Sequence, residues 1–336
     1  MKPDSFEHRV GGMFQPLPEV YQIEVTNACN LKCPMCLRTT DMLRKSNLLD
    51  LDLLKTMNER GDFDGSYYIE LQLAGEPTLH PKLEEIVDYL KTEVGVMVGL
   101  STHGLLMDKP RVQRALAKVD ALTISVDSVV PETYAKFRPP AKLEDLYRCI
   151  DSLFAYFDEW FTYERLQTHK LPFVELQMID AARIRGKAAS LDGLVEVSEE
   201  RGWDKYASCR MQGDCFIEMQ DGEKQQANED LCINPYMSVS IACNGDVLSC
   251  CYIFEPSKTQ PNVYGNLNDA SLLEIWNGRQ ANDMRDKTQK GCPEGACTKC
   301  YLKSPSRIHM NILSRLLRWQ KSQTLELAQI RKEANE

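Results

Sequence analysis

Three cysteines near the start of the chain are spaced for iron–sulfur chemistry. In Thr26-Asn27-Ala28-Cys29-Asn30-Leu31-Lys32-Cys33-Pro34-Met35-Cys36 the spacing is Cys-x3-Cys-x2-Cys. A loop of this kind can wrap three corners of a [4Fe–4S] cluster through thiolates. Three thiolates on four irons leave one iron open, as catalytic zinc sites keep a position free for substrate. A structural zinc ion would want a fourth close donor, and no further His or Cys lies within about a dozen residues.

The chain has 13 cysteines in 336 residues. Seven of them (Cys232, Cys243, Cys250, Cys251, Cys292, Cys297 and Cys300) crowd the last third, and only Cys149, Cys209 and Cys215 lie between the groups. The first residues, Met1 to Val10, are polar and charged rather than a secretory signal. The expectation is therefore a cytoplasmic protein whose clustered thiols are metal ligands or reactive groups rather than disulfides. Apolar residues make up 43 %, enough for a buried core, and no run approaches the roughly 18 residues of a membrane span. A net charge of −9 argues against nonspecific nucleic-acid or anionic-membrane binding.

The elements that must carry the first cysteine loop are legible as repeated strand–helix units. Short β-rich runs at Tyr21–Thr26, Tyr68–Ala74, Val96–Thr102, Ala121–Asp127 and Phe173–Met178 alternate with amphipathic segments such as Asp50–Glu59, Lys82–Thr92 and Leu143–Phe157. A sixth unit uses Leu191–Arg201 and a strand near Tyr206. This alternation predicts a parallel sheet of βαβ units. Each strand has one polar face: Gln22/Glu24/Thr26, Glu70/Gln72, Thr123/Ser125/Asp127 and Glu175/Gln177. The alternate positions are apolar, so the two sets lie on opposite faces. Helices cover the apolar face, and the polar face must line something wet or occupied. The fold class predicted is α/β, a partial (β/α)6 TIM-like barrel over residues 20–205 holding a polar ligand. An open sheet with one solvated face is the plainer alternative.

At this point the chain resembles the radical S-adenosylmethionine superfamily, whose signature is this cysteine spacing. Over residues 20–180 further motifs agree. Ala74-Gly75-Glu76-Pro77 resembles the motif that binds the amino group of S-adenosylmethionine. Ser101-Thr102-His103-Gly104 resembles a Ser-Thr-Asn-Gly turn, and Ser125-Val126-Asp127 with Arg138 resembles the ribose- and carboxylate-holding set. Met35 stands where an aromatic is usual, and His103 where Asn is usual. The resemblance implies that Cys29, Cys33 and Cys36 ligate a [4Fe–4S] cluster. It also implies that Met35, Gly75, Glu76, Ser101, Ser125, Asp127 and Arg138 hold S-adenosylmethionine. Reductive cleavage then gives a 5′-deoxyadenosyl radical that abstracts hydrogen from a substrate carbon.

After Lys205 the pattern breaks. A connector (206–230) leads to a small cysteine-rich domain (231–303) and an amphipathic C-terminal helix within 304–336, spanning Ser306–Lys332. Met237–Cys251 reads as a hairpin turning on Asn244-Gly245, which pairs Val239 with Cys250 and Cys243 with Asp246. Cys243 is then about 13 Å along the strand from Cys250, and Cys251 points to the other face, so one of Cys250 and Cys251 ligates, not both, and the Gly245-x4-Cys250 spacing favours Cys250. Cys232, Cys250, Cys297 and Cys300 could supply four thiolates to one auxiliary [4Fe–4S] cluster, with zinc as an alternative. The region resembles SPASM/twitch auxiliary domains through Cys232, Gly245-x4-Cys250, the Gly265–Trp276 stretch and the closing Cys-x2-Cys.

A fully ligated second cluster suits net oxidation of the substrate, whereas a thiol hydrogen donor would give epimerisation. Cys149, Cys209, Cys215, Cys243 and Cys251 are the unassigned candidates for that donor. Glu24, Glu70, Gln72, Glu175 and Gln177 are expected to contact substrate. The expected substrate is a hydroxylated small molecule such as a sugar or aminocyclitol. A ribosomally made peptide with a separate recognition partner is the second reading, and a noncatalytic zinc- or iron–sulfur-binding interaction protein the third. An electron donor such as flavodoxin or ferredoxin is the expected protein partner.

Overall fold

The computed structural model describes residues 17–40, 42, 44–166, 169–180, 191–213, 234–250 and 263–289. Cys215, Cys232, Cys251, Cys292, Cys297, Cys300 and the helix expected over Ser306–Lys332 lie outside the described residues.

Six parallel strands run in sequence order: β1 (Val20–Ile23), β2 (Tyr68–Leu71), β3 (Met97–Thr102), β4 (Ala121–Ser125), β5 (Phe173–Asp180) and β6 (Ala207–Gly213). The connecting helices include Leu51–Glu59, Leu83–Tyr89, Pro110–Leu116, Pro131–Phe137, Leu143–Trp160 and Leu191–Glu200. Local chemistry sets their starts. Asp50 caps the first by accepting from Asp52 N–H, and prolines open the helices at Pro110 and Pro131. The outward strand positions Ile23, Ile69, Leu71, Val98, Leu100, Leu122, Ile124, Val174 and Leu176 are all buried beneath these helices. The predicted alternation therefore holds strand by strand. The sixth strand occupies Ala207–Gly213, inside the stretch expected to be connector, so the barrel sheet continues past residue 205.

Three more strands extend this sheet past β1: β7 (Ser238–Ile241), β8 (Asp246–Leu248) and β9 (Val263–Asn266). The order is β6-β5-β4-β3-β2-β1-β7-β8-β9, and among the described residues the sheet does not close on itself. β7 runs parallel to β1, pairing Val20 with Ser238 and Ile23 with Ile241. β8 and β9 return antiparallel. The C-terminal domain is thus joined to the barrel through one continuous sheet.

The hairpin register is one residue from the expected one. Ser240 faces Leu248 and Ile241 faces Val247, while Ala242 N–H donates to Asp246 O (2.9 Å). The turn is therefore Cys243-Asn244-Gly245, three residues rather than two. Gly245 sits at φ +89°, and a Cβ there would lie 2.7 Å from Asn268 Nδ2. That left-handed position, crossed by the Asn266 and Asn268 side chains, is why glycine is needed five residues before Cys250. The helix Leu272–Trp276 follows, closed at its start by a capping box of Ser271 and Glu274.

Candidate active site

The open end of the barrel collects the chemistry-bearing turns from the C-terminal ends of consecutive strands, where parallel α/β folds place their sites. After β1 comes the cysteine loop. Cys29, Cys33 and Cys36 share one small cluster with Leu31, Met35 and Phe137. Met35 fills this pocket as an apolar packing group in the place of the usual aromatic. Burial pushes the Cys29 thiol up to about 11 and raises Cys33 as well. Arg138 works against that shift at Cys33, to which it is hydrogen-bonded. Among the described residues no three His, Cys, Asp or Glu side chains stand at single-ion spacing.

The loop is clamped from three sides. Glu76 N–H donates to Ala28 O (2.8 Å), and Lys32 N–H to Pro139 O (2.8 Å). At Gly75 a Cβ would lie 2.7 Å from the Ala28 carbonyl oxygen and would collide with that of Thr26. Only glycine lets the two loops touch, which fits a cradle for a small ligand.

Glu76 is buried and fully engaged within the chain. One carboxylate oxygen accepts from Thr78 N–H (3.1 Å), Thr78 Oγ1 (2.5 Å) and Thr102 Oγ1 (2.6 Å), and the other from His103 N–H (2.9 Å). It holds the turns after β2 and β3 together. Ser101 and Ser125 are half-buried on the inner face. Asp127 has φ +60°, an uncommon left-handed conformation for a non-glycine residue that costs of order 1–3 kcal/mol. It presents a carboxylate to Arg138 Nε at 2.6 Å.

Below this rim the inward face forms polar rows. Ser125, Gln177 and Arg210 are in register, and below them Ser101, Thr123, Glu175 and Ser208. Arg210 Nε lies 3.1 Å from Glu175, and Arg210 also donates to Gln177 Oε1. Deeper still, Glu70 accepts from Ser101 Oγ (2.9 Å) and from Tyr68 Oη. Gly99 makes room for that pair, since a Cβ there would collide with both side chains. Burial raises the Glu70 carboxyl above its ordinary range. Gln72 is half-buried just beyond β2. Arg210 was not among the sequence candidates. The same two-residue alternation, carried one strand further through Ser208 and Arg210, would have found it.

Three expectations change. Glu24 does not face an open lumen: its carboxylate is fully buried and receives both terminal nitrogens of Arg44 (2.6 and 2.9 Å), Ala74 N–H and Cys243 N–H (3.2 Å each). It ties β1, the turn after β2 and the β7–β8 turn into one joint. Cys149 and Cys209 lie on the helix side of the sheet rather than on its polar inner face. Cys149 is buried in the helix-side core, and Cys209, at the outward register position of β6, donates to Leu194 O at 3.7 Å. Among the described spare thiols only Cys243 borders the rim, buried against Glu24, where burial and that carboxylate push it up to about 12.

Cys250 lies at the other end of the barrel. Asn234 Nδ2 approaches its sulfur at 3.6 Å, just before the start of β7, where Ser238 pairs with Val20 at the start of β1. From Val20 to Thr26, at the root of the cysteine loop, β1 and its continuation rise roughly 20 Å. Among the described cysteines, the first three and Cys250 therefore sit at opposite ends of the sheet.

Comparison with known proteins agrees with this layout. The radical SAM superfamily model matches residues 23–165, and SPASM, an iron–sulfur cluster-binding domain, matches residues 232–301. A probable GTP 3′,8-cyclase of Methanococcus maripaludis is 29 % identical over 132 residues, 39 % of this chain and 44 % of that one. A tungsten-containing aldehyde ferredoxin oxidoreductase cofactor-modifying protein of Pyrococcus furiosus is 34 % identical over 107 residues, 31 % and 30 % of the two chains. The chain thus spans less than half the length of these curated relatives. Among solved structures, BtrN in complex with AdoMet and 2-DOIA aligns with a TM-score of 0.54 at 16 % identity, covering 85 % of this chain and 94 % of BtrN. Streptococcus suis SuiB bound to S-adenosylmethionine gives 0.56 at 14 % identity, covering 90 % and 79 %. These two likenesses establish the fold. With residues 23–165 and 232–301 matched in that order, the chain belongs to the radical SAM superfamily, with a domain for S-adenosylmethionine and a [4Fe–4S] cluster and a SPASM-type domain for an auxiliary iron–sulfur cluster.

Proposed function

We propose that this enzyme abstracts hydrogen from a carbon of a hydroxylated small molecule, such as a sugar or aminocyclitol, with net oxidation or epimerisation. The observation that carries this reading is the polar interior of buried Glu70, Glu175 and Gln177 and half-buried Ser101 and Arg210 below the cysteine loop. Such a lining exchanges hydrogen bonds with hydroxyls at several fixed positions, whereas an apolar lumen would leave them unsatisfied.

In this reading Cys29, Cys33 and Cys36 hold the [4Fe–4S] cluster, and Gly75, Ser101, Ser125, Asp127 and Arg138 receive S-adenosylmethionine beside Met35. When bound, this pair supplies a 5′-deoxyadenosyl radical. Glu76 shapes the receiving turns. Cys250 with Cys232, Cys297 and Cys300 holds the auxiliary cluster at the far end, and an electron donor such as flavodoxin or ferredoxin reduces the enzyme. Arg210, two strand spacings or about 10 Å from Ser125, orients Glu175 and Gln177 on the strand between them. The substrate carbon then lies beside the cofactor cradle, with its hydroxyls against β5 and β6. Residues 20–213 form the barrel in this scheme, and residues 231–303 the auxiliary domain.

BtrN, whose structure was solved with 2-DOIA, overlaps this chain over most of its own length, which supports the small-molecule reading. SuiB, solved with its precursor peptide SuiA, has the same fold and keeps peptide maturation as the second reading. The test is substrate-dependent 5′-deoxyadenosine formation with a panel of polyols, sugars and amino sugars. A product two hydrogens lighter indicates oxidation, and one solvent deuterium at unchanged formula indicates epimerisation. Stimulation by peptides alone would overturn the reading.

A further inference from the structure

His103 occupies the turn after β3, yet its ring reaches the cysteine loop. Nδ1 accepts from Leu105 N–H at 3.1 Å and is therefore unprotonated, which leaves the proton on Nε2. Nε2 donates to Asn30 Oδ1 at 2.8 Å and has Glu76 Oε2 at 3.5 Å. The ring is buried, whereas Asn30 lies at the surface between Cys29 and Cys33. The other tethers of that segment are the backbone bonds of Ala28 and Lys32 and the buried Leu31 side chain. Among the described residues, His103 supplies the side-chain tether to its middle.

We infer that His103 is a positioning residue, holding the Cys29–Cys33 segment through Asn30 and joining it to the Glu76-centred turns. The inference rests on the assignment of Cys29, Cys33 and Cys36 to the cluster. An asparagine at position 103 has an oxygen near the place of Nδ1 and can still accept from Leu105 N–H, but nothing in it reaches Asn30. The ring adds the second, longer arm.

That difference separates the tether from the local turn. The experiment compares wild type with His103→Asn, His103→Gln, Asn30→Ala and the double variant His103→Asn/Asn30→Ala. Each is reconstituted anaerobically, and loss of the S-adenosylmethionine-sensitive EPR signal to a chelator is timed alongside the melting temperature. His103→Asn and Asn30→Ala should each speed that loss about three- to tenfold, the effect of one hydrogen bond, with little change in melting. The double variant should be no worse than either single one, because both remove the same bond. His103→Gln, whose amide nitrogen reaches close to the place of Nε2, should recover part of the stability of the signal.

Wild-type rates in both His103→Asn and Asn30→Ala, or additive effects in the double variant, would overturn the inference. If His103→Asn fails to fold, Asn30→Ala and His103→Gln decide it by the same criteria. A wild-type protein that shows no S-adenosylmethionine-sensitive signal, or keeps it in Cys33→Ala, would instead refute the cluster assignment itself.

Discussion

Replacing Glu24 by glutamine gives the sharpest test of how barrel and auxiliary domain are joined. Oε1 of Glu24 receives Arg44 Nη1 (2.6 Å) and Cys243 N–H (3.2 Å), and Oε2 receives Arg44 Nη2 (2.9 Å) and Ala74 N–H (3.2 Å). Whichever end of the glutamine amide carries the NH2, it faces one guanidinium N–H and one backbone N–H. Donor meets donor twice, and a cation that is only 12 % exposed loses its counter-charge. A buried backbone N–H left unpaired costs about 1–3 kcal/mol. Breaking a buried ion pair by removing one partner costs about 3–5 kcal/mol. The two penalties overlap, so a loss of about 3–5 kcal/mol is expected from Glu24→Gln. Adding Arg44→Met removes the clashing guanidinium and should recover about 2 kcal/mol of that loss. Urea unfolding followed by tryptophan fluorescence reads both effects, since Trp203 and Trp276 are buried in the barrel and the auxiliary domain respectively. A loss under about 1 kcal/mol, the level of a surface ion pair, would refute the joint. Normal stability with lost turnover would restore Glu24 to the substrate-contacting role that its strand position suggested.

Three further outcomes follow from the geometry. Burial raises the Glu70 carboxyl, so its protonated form is the one the fold favours. Its stability contribution is therefore fully present below the ordinary carboxylate pKa and lost as pH rises through the raised folded value. Glu70→Gln should consequently be more stabilising, or less costly, at pH 8 than at pH 4, as read by denaturant midpoints at both values. Gly75→Ala should displace the cysteine loop, at a cost of about 1–3 kcal/mol, and abolish S-adenosylmethionine cleavage, because both atoms it meets are backbone carbonyl oxygens. Cys149→Ala and Cys209→Ala should leave product formation unchanged at about 1 kcal/mol in stability, since both thiols belong to the helix side of the sheet.

Much of this arrangement is written locally in the chain. Strand alternation sorts Ile69, Leu71, Leu122 and Ile124 from Glu70, Thr123 and Ser125 without any knowledge of neighbours, because pleating enforces it. The cysteine loop is equally local. What alternation leaves open is the partner of an inward side chain. Glu24 and Glu70 look alike in sequence, yet Arg44, 20 residues on, neutralises one while Tyr68 and Ser101 hold the other. The parallel pairing of β7 with β1 has no local signature, since more than 200 residues separate Val20 from Ser238. The hairpin illustrates a finer limit. Asn244-Gly245 suits a two-residue turn, but the buried Cys243, held by Glu24, makes the turn three residues long and moves the register by one.

The loop of Cys29, Cys33 and Cys36 is assigned here to the S-adenosylmethionine-cleaving cluster. Its most direct test is iron and zinc content, with dithionite-driven 5′-deoxyadenosine formation, measured on anaerobically reconstituted wild type and Cys33→Ala. The account predicts about eight irons per chain and deoxyadenosine for the wild type, and about four irons with no deoxyadenosine for Cys33→Ala. Undiminished deoxyadenosine from Cys33→Ala, or a wild type that takes up zinc without iron, would contradict it.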